Sequence, residues 1–172
     1  MTDALRQWVA DQTELTTIWM HPDAPRPARP YAALQITNSE RIGRAWTGAP
    51  DTDGNASIEF DRDVTISVQV YGSSANTDPR QAFGIAEDLR DSLELTSVRE
   101  ALASNGWSFR GVELLTDAPE LLDTTWEPRA VFDARFGTRK ALIDDLGLIE
   151  TAEVTGTLSG YTQTTTLTLE DS

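Results

Sequence analysis

The sequence predicts an α+β fold: a mixed or antiparallel β-sheet flanked by helices, with long projecting β-hairpins. Three observations point there. Val64, Ile66, Val68 and Val70 alternate with Thr65, Ser67, Gln69 and Tyr71, the period-2 pattern of a strand with one buried face. Ala130, Phe132, Ala134 and Phe136 alternate in the same way with Arg129, Val131, Asp133 and Arg135. Between them, Ala82, Ala86, Leu89 and Leu93 stand at i, i+4, i+7 and i+11, the apolar stripe of an amphipathic helix.

The remaining elements follow in chain order. Leu5, Trp8 and Val9 have i, i+3, i+4 spacing, so residues 3–12 form a short helix that Thr2 can cap. Thr16 to Met20 is β-branched and aromatic, hence a strand. Four prolines at 22, 25, 27 and 30 exclude a helix and favour an extended segment outside any central strand. Tyr31 to Thr37 resumes as a strand with Leu34 and Ile36 on one face, and Arg41 to Thr47 continues it. Pro50-Asp51-Thr52-Asp53-Gly54-Asn55 is turn chemistry, so the two flanking runs make a long hairpin with its tip near Asp53-Gly54.

Asp78-Pro79 is a helix start, with Asp as cap and Pro in the first turn. Ser97-Val98-Arg99-Glu100 has capping-box spacing and opens a second helix that stops at Asn105-Gly106. Trp107 to Leu115 is a strand, Asp117 to Leu122 a short connection, and Thr124 to Phe136 one long strand. Residues 139–145 are ambiguous between strand and turn. Ile149–Thr157 and Gln163–Leu169 form a Thr-rich terminal hairpin, so the chain divides into a domain at 1–148 and a hairpin arm at 149–172 packed on it.

Composition narrows the function. The chain has 172 residues, no cysteine and one histidine, which excludes disulfides, Cys-ligated zinc, thiol nucleophiles and multi-His metal sites. Lys140 is the one lysine, and 28 acids against 14 Lys and Arg leave a formal charge of −14, which argues against tight nucleic-acid binding. No apolar run reaches the ~18 residues of a membrane span, and the N-terminus lacks a signal-peptide plan. Asp51-Thr52-Asp53-Gly54-Asn55 opens like a calcium loop, but Ala56 replaces its glycine and Arg62 its bidentate Glu. His21 among prolines reads as a packing or hydrogen-bonding residue. No nucleophile, base, cofactor or metal motif emerges, so no cofactor is expected.

Three features exceed a bland globule: the cationic arm Pro25-Arg26-Pro27-Ala28-Arg29-Pro30-Tyr31, the strand from Trp126 with its charged face, and the terminal hairpin. Trp and Arg are enriched at protein interfaces. The order of Pro-Arg-Pro-x-x-Pro-Tyr at 25–31, Tyr71-Gly72, Trp126-Glu127-x-Arg129-Ala130 with Asp133, and Ile149-Glu150-x-x-Glu153-Val154-Thr155-Gly156 resembles the neck terminator proteins of tailed bacteriophages, within the tail-terminator and head-completion class.

That resemblance implies a sheet flanked by helices, a non-enzymatic virion protein and a homo-hexameric ring. Such a ring caps the tail tube, docks on the head connector and lets genomic DNA pass without specific binding. It implies as partners the tail tube protein and the connector or stopper protein, with no membrane. Pro128 inside the Trp-Glu-x-Arg motif forbids a ladder bond there and calls for an edge or bulge. The subunit-interface candidates are Arg26, Arg29, Tyr31, Trp126, Arg129, Asp133 and Arg135. The hairpins at 47–63 and 149–169 are candidates for axial contacts by strand addition. The alternatives are another minor tail or connector component, or an acidic binding protein that mimics DNA.

Overall fold

The computed structural model describes residues 2–21, 23, 25–73, 81–122, 125–147 and 151–168. Helix α1 (Thr2–Thr13) leads into strand β1 (Thr16–Trp19), then β2 (Tyr31–Thr47) and β3 (Asn55–Tyr71). Helices α2 (Gln81–Ser92) and α3 (Thr96–Ser104) precede β4 (Ser108–Val112), β5 (Thr116–Asp117), β6 (Glu120–Leu122) and β7 (Thr125–Glu127). Strand β8 (Arg129–Asp145) and the pair β9 (Thr151–Leu158) and β10 (Tyr161–Thr168) complete the chain. The main sheet has six strands in the order β1-β2-β3-β8-β4, with β5 also on β8. β1 runs parallel to β2, whereas β4 and β5 run antiparallel to β8, so the sheet is mixed and the fold α+β as expected.

The chain forms two compact units, Met1–Arg44 with Phe60–Lys140, and Ala45–Glu59 with Ala141–Ser172. The first holds the core. Leu5, Trp8 and Val9 from α1, the stripe Ala82, Ala86 and Leu89 of α2 with Leu93 just beyond it, and Val98 and Leu102 from α3 are buried with Leu34, with Val64, Ile66, Val68 and Val70 of β3, and with Ala130, Phe132, Ala134 and Phe136 of β8. Phe136 sits at its centre, edge-on to Trp8 at 6.3 Å and Trp107 at 6.0 Å. The Trp8 indole N–H donates to Ser92 Oγ (3.0 Å), whose hydroxyl donates to the Leu89 carbonyl (2.6 Å), so both buried polar groups are satisfied.

The opposite face is not simply polar. Tyr31, Ala33 and Tyr71 form a second buried cluster with Ile18 against it, and Ser67 is buried too. Period 2 places them there, on the face of β3 that the alternation by itself reads as polar.

Four local expectations need correction. α3 starts at Thr96, with Leu95 as a cap that makes no side-chain bond, so Ser97 lies inside the helix and the capping box does not form. Backbone bonds from Leu93, Glu94 and Leu95 back to Arg90, Asp91 and Ser92 already turn the chain directly into α3. Residues 117–122 are not a plain connection but contribute β5 and β6. The strand expected over 124–136 is split at Pro128, which has no N–H to give a ladder and whose carbonyl accepts from Gly72 N–H at 2.9 Å. Beyond it, β8 runs on through the ambiguous 139–145. Finally, residues 28–30 bend rather than extend.

The Asn105-Gly106 stop holds: Gly106 takes φ +82°, and Trp107 N–H returns to the Leu102 carbonyl. The start at Asp78-Pro79 lies outside the described residues.

In the second unit, the hairpin turn closes as expected. Asp51 N–H donates to the Asn55 carbonyl, Asp51 Oδ1 accepts from Asp53 and Asn55 N–H, and Gly54 adopts φ +81°. Gly54 also abuts the Gly147 backbone, and its carbonyl accepts from Leu146 N–H at 3.0 Å. β9 and β10 pair antiparallel from Tyr161↔Leu158 to Thr168↔Thr151, around a turn with positive φ at Ser159 and Gly160.

Candidate assembly surfaces

The proline arm returns to the sheet beside the tyrosine cluster. Tyr31 opens β2, is 3% exposed, and stacks on Tyr71 with ring centroids 4.5 Å apart and planes 13° from parallel. The Tyr71 hydroxyl donates to Gln69 Oε1 at 2.9 Å. Burial pushes the Tyr31 phenol above its ordinary 10.0; Tyr71 adds to the rise, Arg26 and Arg29 oppose it, and Glu120 adds slightly. Tyr31 therefore supports the surface from beneath. Beside it, Arg26, His21, Met20 and Gln35 help line a cavity of about 300 Å³ over the two rings. His21 Nδ1 accepts from Asp23 N–H at 3.2 Å, the hydrogen-bonding role expected of it.

Arg29 makes an ion pair with Glu127, and both side chains are largely buried. This pair, together with the Gly72–Pro128 bond, ties the arm and the end of β3 to the β7–β8 junction. Arg129 reinforces the same junction: its Nε donates to the Ala118 carbonyl (3.0 Å) and its Nη1 lies 3.4 Å from Glu120 Oε2. Arg29, Tyr31 and Arg129 are thus brought together as braces, while Arg26 remains exposed.

The small β6–β7 hairpin presents what these braces hold. Its register sets Leu121 opposite Trp126, with Trp126 65% and Leu121 52% exposed. This cross-strand aromatic–aliphatic pair lies on the surface and is not part of the core. Asp133 and Arg135 lie further along β8. The Asp133 carbonyl accepts from Glu113 N–H at 2.8 Å, and Asp133 helps line a cavity of about 840 Å³ with Arg90, Glu113 and Leu114. Arg135 is exposed at the β4 bulge beside Gly111.

Three residues of this surface escape sequence reasoning. Glu127 sits in the Trp-Glu-x-Arg motif, yet its partner is about a hundred residues away in sequence, beyond the reach of local spacing. Leu121 was hidden because 117–122 lacks a recognisable strand period. Tyr71 reads as one more polar-face residue until Tyr31 is placed against it. Among the described residues, no three acidic or histidine side chains gather as metal ligands, and no helix is long and apolar enough to cross a membrane.

No curated protein matches the chain. The family model of the phage neck terminator protein matches it over residues 1–161, from α1 to the start of β10, including the braced arm and the Leu121–Trp126 pair. The chain therefore belongs to the phage neck terminator protein family and has a structural role in the neck and tail of the particle.

Proposed function

We propose that six copies close into a ring that ends the tail tube, docks on the head connector and leaves a passage for the genome. The observation that carries this reading is the family match over 1–161, which takes in both structural units. A cyclic ring needs a heterologous contact, in which one patch meets a different patch on the next copy. The exposed Trp126–Leu121 pair and the exposed Arg26 and Arg135 supply patches of interface composition. The arm residues Arg29 and Tyr31, with Arg129, act in this reading by holding those patches in place. Asp133 belongs to the contact through the groove it lines.

The acid excess suits a passage for DNA. A duplex carries one charge per ~1.7 Å of axis, and a negatively charged wall offers it no sticky counterion-releasing contact. The deciding experiment is cryo-electron microscopy of intact particles. A six-fold layer of this chain between connector and tube supports the ring; a single copy off the axis, or a layer of different symmetry, overturns it.

A further inference from the structure

Leu114 is the most exposed large apolar side chain among the described residues, at 88%. It lies between β4 and β5, which both pair with β8. Four residue steps from Val112 to Thr116 face three from Ala134 to Val131, so this edge of the sheet carries one extra residue and bulges. Both ends of the bulge are fixed. Glu113 N–H donates to the Asp133 carbonyl at 2.8 Å, and Thr116 pairs with Val131. Leu114 is therefore held out in water by an anchored backbone, already ordered for a contact. The Glu113 side chain beside it is exposed and makes no ion pair among the described residues.

The other side of the same sheet holds a hollow of matching chemistry. The strand order puts β1 at one edge and β4 and β5 at the other, ~19 Å away across four strand spacings. Toward the β1 edge, the cavity of about 300 Å³ over the Tyr31–Tyr71 stack has apolar walls from Ile18, Met20 and Ala33, with room for a leucine side chain. In a chain with 28 acids, no Asp or Glu lines it among the described residues. Arg26 does line it, and this arginine is exposed and makes no ion pair among the described residues. Apolar walls with one unpaired cation suit an apolar side chain that brings a carboxylate beside it. Bulge and cavity belong to one compact unit, so their places on the sheet are set relative to each other.

We propose that Leu114 of one copy enters the tyrosine cavity of a second copy of this chain, and that Glu113 meets Arg26 there. The proposal rests on the ring reading and names the two unlike patches that a head-to-tail contact joins, one toward each edge of the sheet. Removal of Leu114 from water supplies the attraction. The Glu113–Arg26 pair sets the register, and it disfavours bulge-to-bulge and cavity-to-cavity contacts, which would bring like charges together.

The test assembles particles with full-length variants in place of wild type and counts copies of the chain per purified particle by mass spectrometry. Arg26→Glu, Glu113→Arg and Leu114→Asp, each alone, lower the copy number at least tenfold. All three side chains are exposed, so each variant melts as wild type does by circular dichroism. Leu114→Met keeps an apolar knob and assembles like wild type. An equal mixture of Arg26→Glu chains and Glu113→Arg chains restores the copy number, because copies alternating around a ring of six set each reversed residue against its opposite. A pair formed within one chain would gain nothing from the mixture.

Charge reversals, or Leu114→Asp, that assemble like wild type overturn the proposal. Reversals that fail and are not restored by the mixture also overturn it, and assign Arg26 and Glu113 to contacts with other neck proteins. Unmodified particles without a six-fold layer would remove the ring itself, an outcome read independently of any variant.

Discussion

Arg29 and Glu127 show how one residue pair shapes this surface. Both are largely withdrawn from water, so truncating one leaves the other's charge half-buried and unpaired. Arg29→Ala should cost about 2 kcal/mol of unfolding free energy, and Glu127→Gln should recover part of it in the Arg29→Ala background; a double-mutant cycle in urea measures both. Tyr31 makes a second residue-scale prediction, with the sign set by its raised pKa. The folded state holds the phenolic proton more tightly than the unfolded chain. The stability this contributes is full below the unfolded value near 10 and is lost as pH rises through the higher folded value. Tyr31→Phe therefore loses less stability than wild type between pH 9 and 12, as read from melting temperatures across that range.

At the scale of elements, β8 does two jobs along one strand. Its first half carries the alternating Ala130, Phe132, Ala134 and Phe136 into the core, and its last five residues, from Ala141, belong to the second unit. Phe136→Ala removes the ring on which Trp8, Trp107 and Phe109 converge, and should cost about 3–5 kcal/mol by chemical denaturation. The turn at Gly54 has a different constraint. A Cβ there would come within 2.8 Å of the Gly147 backbone, on a residue already at φ +81°. Gly54→Ala should expose the Leu146 amide, raising its hydrogen-exchange rate at least tenfold while the Phe136 core amides keep their protection.

Much of this was legible one element at a time. The alternation in β3 and β8 and the stripe in α2 each carry their period within a dozen residues, and those elements and their buried faces appear as read. The fate of Ile36 was not legible. It shares parity with buried Leu34, yet it is exposed. A 17-residue strand spans ~57 Å, whereas a 12-residue helix spans ~18 Å, so helices cover only part of such a strand. Periodicity says which residues share a face and nothing about where the cover ends. The Leu121–Trp126 pair was hidden for a related reason: three-residue strands carry too little pattern to be seen.

For the molecule as a whole, the proposed ring places function on surfaces that cost little to change in the isolated chain. Trp126→Ser lies at an exposed position and should alter stability by less than about 0.5 kcal/mol, while sharply reducing incorporation into particles. Arg135→Glu should behave alike. Arg129→Glu should not, because it also breaks the bonds to Ala118 and Glu120 and lowers the melting temperature. Comparing melts with particle occupancy separates the two classes.

The sequence by itself determined the fold class, the principal strands and helices, the absence of thiol chemistry and the acid excess, because each is written in local period or in composition. It also carried the family, through the order of short motifs along the chain. Only the tertiary structure decided that Tyr31 lies beneath the surface, that Arg29 meets Glu127, and that the Leu114 bulge and the tyrosine cavity lie toward opposite edges of one sheet. Those facts join residues tens to a hundred positions apart, and proximity of that kind is set by how elements pack rather than by the chemistry of any one segment.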